Sequence, residues 1–269
     1  MGSRLPATGL LVSLLLLIPA GGWTADLSEK AARDRARELL STLPFFAGEG
    51  HGRYRMVVES QNGKRFEREF VVEARRIKGS LRRRIDVVSP ADLAGRAFLF
   101  VSHPKGPDAY WMYVSAFETT KEIEGTRRYG SFLRSHLTYR DVFGFRWADA
   151  SFDEVRTGEV EGASVADVRV EPSEADKTEY DYAEVSIRVS DGAPLQCILR
   201  SGDDSVEKTL ELTSLSGSGS DARITEMTIR PKAGGYTRLE LREFQPKPTR
   251  PRADFRPEQL SGSDGSTQR

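Results

Sequence analysis

The chain contains very little cysteine or histidine, the residues on which disulfides and many metal sites depend. It has one cysteine, Cys197, and three histidines, His51, His103 and His136, in 269 residues. A single cysteine excludes an internal disulfide, and in a strand-like run it is typical of a small buried apolar group rather than of a nucleophile. No histidine lies at a metal-ligand spacing, so we expect no metal site.

A net charge of one sign is also missing. Lys+Arg and Asp+Glu both total 40, which gives a formal net charge of +0. Without a strong positive field, nucleic acid is disfavoured as a partner. No P-loop, G-x-S-x-G elbow or dinucleotide-binding glycine motif is present either. We therefore expect no cofactor.

Combinations of residues that could support catalysis are few. Ser135, His136 and Asp141 could compose a triad, but close neighbours on one loop rarely reach that geometry. The carboxylate pairs Asp153-Glu154 and Asp203-Asp204 are typical of solvated turns. We expect a protein that is not an enzyme, and a hydrolase is the interpretation with the least support.

Long hydrophobic runs are absent apart from one at the start of the chain. Residues 1–22 have the pattern of a secretory signal, in which Arg4 precedes an apolar run over 9–18 and small residues at 20–22. That run of about ten residues is short of the roughly twenty that span a bilayer. We expect cleavage after Gly22, with cleavage two residues earlier or three later as alternatives, and no lipid attachment because no cysteine lies nearby.

Strand signals dominate the rest of the sequence. Residues 27–40 form the one convincing helix, since apolar residues fall on one stripe and Asp26 or Ser28 can cap it. Beyond Arg53 the pattern predicts about nine to eleven strands at near-regular spacing, with an Asn-Gly hairpin turn at 61–63. We expect a mainly β protein with one domain over 23–260 and a disordered tail over 261–269.

The stretch from Pro90 to Asp141 is richest in apolar and aromatic residues. Ala97–Val101 and Tyr110–Val114 read as strands that are apolar on both faces, so both faces must be covered. The surplus aromatic residues of this part of the chain are Phe98, Phe100, Trp111, Tyr113, Phe117, Phe132, Phe143, Phe145 and Trp147. They fit a filled core or the lining of a ligand cavity, and the sequence does not separate the two.

A basic run lies on an earlier predicted strand. Arg82, Arg83 and Arg84 could bind phosphate or dock a partner. In the simpler interpretation, they pair across the ladder with acidic residues of the preceding strand, Glu67, Glu69 and Glu73.

Three segments resemble the LolA-like family, often labelled outer-membrane lipoprotein-sorting proteins. Residues 90–99, PADLAGRAFL, resemble the family's P-A-D-x-x-G-x-A-F-L strand entry, and 110–114, YWMYV, resemble its W-x-Y-x-P strand. Residues 130–142, GSFLRSHLTYRDV, resemble its S-F-M-G-S-D-F-S-Y-E-D-L signature. The likeness extends weakly over 53–260. Ser115 replaces the family's proline, 118–123 replace its basic run, and 134–136 invert the charge of its Gly-Ser-Asp step.

The resemblance implies a strongly curved antiparallel sheet, or incomplete β-barrel, with an N-terminal helix. It implies a periplasmic carrier or chaperone that binds the acyl chains of lipids or lipoproteins for transfer to the outer membrane. An inner-membrane transporter or an outer-membrane acceptor would be its exchange partner. The implied lining is Phe98, Phe100, Trp111, Tyr113 and Phe132, with Leu99 or Met112 facing the other way.

An alternative hypothesis retains the same fold but assigns it no lipid ligand. In this hypothesis the protein is a non-enzymatic binding or scaffold module of the cell envelope, accessory to an export system, which docks through Arg82, Arg83 and Arg84.

Overall fold

The computed structural model describes residues 27–103, 106–143, 150–172, 179–218 and 221–261. The predicted signal, its cleavage site, nearly all of the predicted tail, Phe145 and Trp147 lie outside these residues. No helix within them is long and apolar enough to cross a membrane.

Thirteen strands make up about half of the described residues. Their bounds are β1 Gly50–Glu59, β2 Arg65–Ile77, β3 Ser80–Ser89, β4 Ala97–Ser102, β5 Ala109–Val114, β6 Thr119–Glu122, β7 Val155–Val160, β8 Ala163–Val170, β9 Tyr182–Arg188, β10 Pro194–Arg200, β11 Val206–Ser216, β12 Arg223–Pro231 and β13 Tyr236–Gln245. They form one sheet in the order β6-β5-β4-β3-β2-β1-β13-β12-β11-β10-β9-β8-β7, and every neighbouring pair is antiparallel. The prediction of a mainly β fold built on a curved, unclosed antiparallel sheet is confirmed.

The strand number is higher than the sequence predicted, for two local reasons. The polar strand β6 gives no hydrophobic signal, yet it pairs with β5 along its whole length. The run from Val155 to Val170 is two strands because the chain turns at Glu161 and Gly162, both with positive φ. The predicted hairpin turn at 61–63 is present, and Gly63 supplies its φ of 78°.

The predicted helix is also present, displaced by two residues. Helix α1 spans Glu29–Thr42, and the Ser28 side chain caps it by accepting a hydrogen bond from the Ala31 N–H. Its buried stripe is Ala32, Ala36, Leu39 and Leu40, which packs against β7 to β10. A second, short helix, α2, spans Tyr139–Phe143.

The two faces of the sheet have separate apolar clusters. The inner face is the one that contacts α1, and its cluster includes Phe70, Ile85, Phe98 and Phe100. The outer face of β3 to β5 has a smaller cluster, formed by Ala97, Leu99, Val101, Phe255 and Leu260. Since side chains alternate along a strand, β4 is buried on both faces, as its unbroken apolar sequence predicts.

A cover segment over the inner face as the candidate site

Residues 123–143 form a cover segment over the inner face of β2 to β5. The segment leaves edge strand β6 and contains two 3₁₀ turns, Gly125–Tyr129 and Phe132–Arg134, before α2. Six of its apolar side chains are buried in the inner cluster: Ile123, Phe132, Leu133, Leu137, Val142 and Phe143. The cover segment therefore occupies the apolar surface that a ligand on the inner face would contact.

Aromatic contacts join the cover segment to the sheet. The ring of Phe132 lies 5.1 Å from that of Phe98 and 6.0 Å from that of Phe70. The ring of Phe143 lies 5.8 Å from that of Phe100 and 5.1 Å from that of Tyr110. These distances are typical of packed aromatic pairs. With the cover segment in place, the aromatic side chains of the inner face pack against those of the segment.

Arg83 on β3 binds the C-terminal end of the cover segment from the inner face of the sheet. It is 2% exposed. Its guanidinium donates to the carbonyl oxygens of Phe143 at 2.6 Å, Val142 at 3.4 Å and Phe46 at 3.1 Å. Burial lowers the pKa of Arg83 to about 10, so the side chain remains charged at neutral pH. Its hydrogen-bond acceptors are all neutral.

Polar contacts of His136 and Asp141 hold the tip of the cover segment and its C-terminal helix α2. The Thr237 hydroxyl on β13 accepts from the His136 N–H at 3.0 Å and lies 2.9 Å from His136 Nδ1. Asp141, which is buried, accepts from Lys208 on β11 at 2.6 Å and from the Tyr180 hydroxyl at 3.2 Å. The cover segment is thus held by strands from both halves of the sheet.

The backbone of the cover segment is strained at its tip. Leu133 and Arg134 are consecutive non-glycine residues with φ of 50° and 59°. Each such conformation costs on the order of 1 kcal/mol and persists only where the surroundings enforce it.

A different segment covers the outer face. Residues 246–261, called the strap here, follow β13 and lie across β2 to β6. Phe255 and Leu260 are its apolar anchors, packed against Leu99, Trp111 and Tyr113.

Two charged residues of the sheet, Arg84 and Glu73, bind the strap. Arg84 pairs with Asp86 through both carboxylate oxygens, at 2.9 to 3.1 Å, and also donates to the Asp254 carbonyl at 3.0 Å. Glu73 accepts from the N–H groups of Thr249 and Arg250 at 2.8 and 3.0 Å.

The pKa of Glu73 is lowered by His51 on β1 and by the strap. Burial alone would raise this pKa. The His51 ring, 3.2 Å away, and the hydrogen bonds from the strap outweigh burial and hold the pKa at about 2. The carboxylate is therefore charged, and the strap stabilises that charge.

The structure divides the predicted lining residues between the two faces. Phe98, Phe100, Phe132 and Met112 belong to the inner cluster, and Leu99, Trp111 and Tyr113 belong to the outer cluster. Register explains the division, since Phe98 pairs with Met112 and Leu99 pairs with Trp111. The prediction that these residues line an acyl cavity stays a prediction, and only the inner four lie under the cover segment.

The predicted arginine run is divided in the same way. Arg83 faces inward, whereas Arg82 and Arg84 face outward and donate to strap carbonyls. Arg83 and Arg84 are buried, which disfavours their use in docking a partner, although that role stays a prediction.

The cross-strand pairs expected for these arginines do not form. Glu67 pairs with Arg55 at 2.6 Å and Glu69 pairs with Arg53 at 3.0 Å, both on β1. The register explains this, because Glu69 lies opposite Ser89 and Glu67 lies beyond the end of β3. Glu73 lies opposite Arg84 but accepts from the strap instead.

Sequence reasoning missed the polar residues that hold the cover segment. Arg83 alternates with Leu81, Ile85 and Val87, which all contact the inner cluster. This period of two could have placed Arg83 on the inner face. No comparable sequence signal marks Thr237 or Lys208, because their partners lie 101 and 67 residues away.

Comparison with known proteins gives one family and several structural relatives. A family model described as "-like: Uncharacterized protein" matches residues 81–262. No curated protein matches the sequence significantly.

Three solved structures share the fold over most of the chain. A domain from Vibrio parahaemolyticus named for outer membrane lipoprotein sorting has a TM-score of 0.70 at 20% identity, covering 84% of this chain and 95% of its own. A DUF1329 family protein from Desulfovibrio piger ATCC 29098 has a TM-score of 0.70 at 19% identity, covering 84% and 96%. A LolA superfamily protein from Nitrosomonas europaea has a TM-score of 0.65 at 12% identity, covering 87% and 99%. At these identities the likenesses establish a shared fold.

Proposed function

The chain belongs to the family whose model matches residues 81–262 and has a LolA-like fold; from this premise we propose that it is an exported periplasmic carrier of acyl chains. In this proposal the inner face binds the acyl chain of a lipid or lipoprotein after the cover segment moves aside. Handover to a membrane acceptor would follow when the segment returns.

The observation that carries the proposal is the cover segment itself. It is a non-sheet segment over the inner apolar cluster, and Arg83 holds its C-terminal end through neutral carbonyl groups. A neutral hydrogen bond contributes only about 1 kcal/mol net, or about 1.5–3 kcal/mol when one partner is charged. Opening would break these bonds and the Asp141–Lys208 ion pair, a cost that the binding of an acyl chain would offset.

The energetics of exchange are close to balanced. Six buried apolar side chains of the cover segment, at about 1.5–3 kcal/mol each, contribute on the order of 10 kcal/mol. Shielding a C16 acyl chain contributes a similar amount, at about 0.8 kcal/mol per methylene. An acyl chain can therefore replace the cover segment on the inner face without a large change in buried apolar surface.

A second candidate is a scaffold module of the cell envelope that carries no lipid. The packing of Phe98, Phe100 and Phe132 against one another favours it, because a filled interior needs no ligand. In that case the cover segment would be a permanent part of the core.

Mass spectrometry of organic extracts separates the two. The mature protein would be purified from the exported fraction without detergent and extracted. We expect a stoichiometric acyl lipid or acylated peptide. An empty extract together with no binding of an added fluorescent C16 probe would overturn the carrier proposal and favour the scaffold.

A reversible lock tests whether the cover segment is the entrance. His136 and Thr237 would both be changed to cysteine to tie the cover segment to β13, and oxidation should abolish probe binding until reductant is added. The matched control is the Thr237→Cys variant with His136 unchanged, which cannot form this disulfide bond. Oxidising the control should leave probe binding unchanged.

A further inference from the structure

Arg83 is a buried cation with no carboxylate partner in the part of the chain that the structure describes. Among the described residues, its hydrogen-bond acceptors are the carbonyl oxygens of Val142, Phe143 and Phe46. Its Nε is buried and has no acceptor. Buried charges in proteins are ordinarily paired with an opposite charge. The inner face therefore carries an uncompensated positive charge.

Opening the cover segment would leave that charge worse satisfied. Two of the three acceptors, those of Val142 and Phe143, belong to the cover segment and leave with it. A plain hydrocarbon chain on the inner face cannot replace them, and a charged donor left unsatisfied in an apolar site costs more than a neutral one. An oxyanion can replace them, since charge-assisted bonds to guanidinium are about twice as strong as neutral ones.

A second unused donor lies in the same region. The Tyr54 hydroxyl is fully buried and has no hydrogen-bond partner among the described residues. Burial raises the pKa of Tyr54 well above its usual range, so the hydroxyl keeps its proton and can donate. The charges of Arg83 and Arg223 both act on it. Both arginines and the hydroxyl would favour a negative group.

We infer that the ligand of the inner face is an acidic amphiphile, an acyl or alkyl chain ending in a carboxylate or phosphate group that Arg83 and Tyr54 bind. This inference rests on the proposed carrier function and narrows its substrate class. Ester- or amide-linked chains without an anionic head would bind less tightly, because they leave Arg83 unsatisfied.

Calorimetric titration of the delipidated mature protein with ligands matched in chain length tests the inference. Palmitate and hexadecyl phosphate carry the two anionic heads, and hexadecanol is the neutral control. We expect at least one anionic ligand to bind about tenfold more tightly than hexadecanol. The tighter of the two identifies the head group.

Variants assign the preference to the two residues. Arg83→Met should reduce the preference to within about threefold while hexadecanol binding remains. Tyr54→Phe removes only the hydroxyl and should weaken anion binding a few-fold. If Arg83→Met does not fold, Arg83→Lys, which keeps the charge but loses the planar fork, should show an intermediate preference.

The outcomes distinguish this inference from the function on which it rests. Equal affinity for hexadecanol and both anions would overturn the acidic ligand and leave the carrier function standing. No binding of any of the three would overturn the carrier function itself. An anion preference that survives both Arg83→Met and Tyr54→Phe would place the head group elsewhere and overturn the assigned site.

Discussion

The cover segment and the strap are two non-sheet segments that neighbouring arginines of one strand fasten to opposite faces of the same sheet. Arg83 holds the cover segment through neutral carbonyl groups. Arg84 holds the strap together with the buried carboxylate of Asp86. The strap carries Arg250, which lies 3.3 Å from the buried Asp86, and the cover segment carries Asp141, a buried carboxylate 2.6 Å from Lys208. Releasing either segment therefore separates an ion pair, but the two arginines differ, because Arg84 has a carboxylate partner and Arg83 has none among the described residues.

The largest expected difference lies between Arg84→Met and Arg83→Met. Removing Arg84 leaves the buried Asp86 with Arg250 as its remaining cation, 3.3 Å away, and should lower the free energy of unfolding by about 3–5 kcal/mol. Removing Arg83 leaves only neutral carbonyls unpaired and should lower it by about 1–3 kcal/mol. Urea unfolding at 25 °C measures both values.

Arg82→Met is the matched control for this comparison. Arg82 lies on the same strand, is partly exposed and donates to one strap carbonyl, that of Phe255. Its replacement should cost less than about 1 kcal/mol. If Arg83→Met lowered the free energy of unfolding as much as Arg84→Met, the distinction between the paired Arg84 and the unpaired Arg83 would be contradicted.

Acid should release the strap through Glu73. Its pKa is about 2 in the folded protein against an ordinary value of 4.5. A carboxyl with a depressed folded pKa stabilises the fold above its ordinary pKa, and that contribution is lost as the pH falls through the folded value. About 3 kcal/mol should therefore disappear between about pH 4.5 and pH 2. Trp111, which packs against the strap anchors, reports release by its fluorescence.

Glu73→Gln is the control for the acid effect. The amide keeps the shape of the side chain but cannot titrate, so this variant should hold the strap more weakly at neutral pH and lose the pH dependence. A wild-type transition that persists unchanged in Glu73→Gln would assign the acid response to another group.

The sequence predicted the sheet better than it predicted what covers the sheet. Strand periodicity and turn residues are local signals, so the curved antiparallel sheet, α1 and the hairpin turn at 61–63 could all be expected. The same alternation places Phe98 and Leu99 on opposite faces. Which set lies under the cover segment depends on contacts far away in sequence, such as that of Phe132 with Phe70.

The residues that hold the cover segment and the strap were also hard to predict from the sequence. Residues 130–142 were recognisable as a family signature, but their position over the inner face was not. Arg83 and Arg84 are adjacent and chemically identical in the sequence. Their different roles arise because one faces the Val142 and Phe143 carbonyls and the other faces Asp86 and the strap. Alternation along β3 divides them, and the apolar residues Leu81, Ile85 and Val87 mark the inner face, but the sequence does not show which groups each arginine meets there.

The smallest expected effects come from two threonines, one under each segment. Thr237→Val keeps the shape of a buried β-branched side chain but removes the acceptor of the His136 N–H. It should loosen the cover segment by about 1–2 kcal/mol, which raises hydrogen exchange over 131–138 about fivefold to thirtyfold.

Thr120→Val removes the hydroxyl that donates to the Leu260 carbonyl and should loosen only the strap, by less than about 1 kcal/mol. Each variant serves as the control for the other, measured by hydrogen exchange with mass spectrometry. Faster exchange of both segments in either variant would mean that cover segment and strap open as one unit, and their separate fastening would then have no functional consequence.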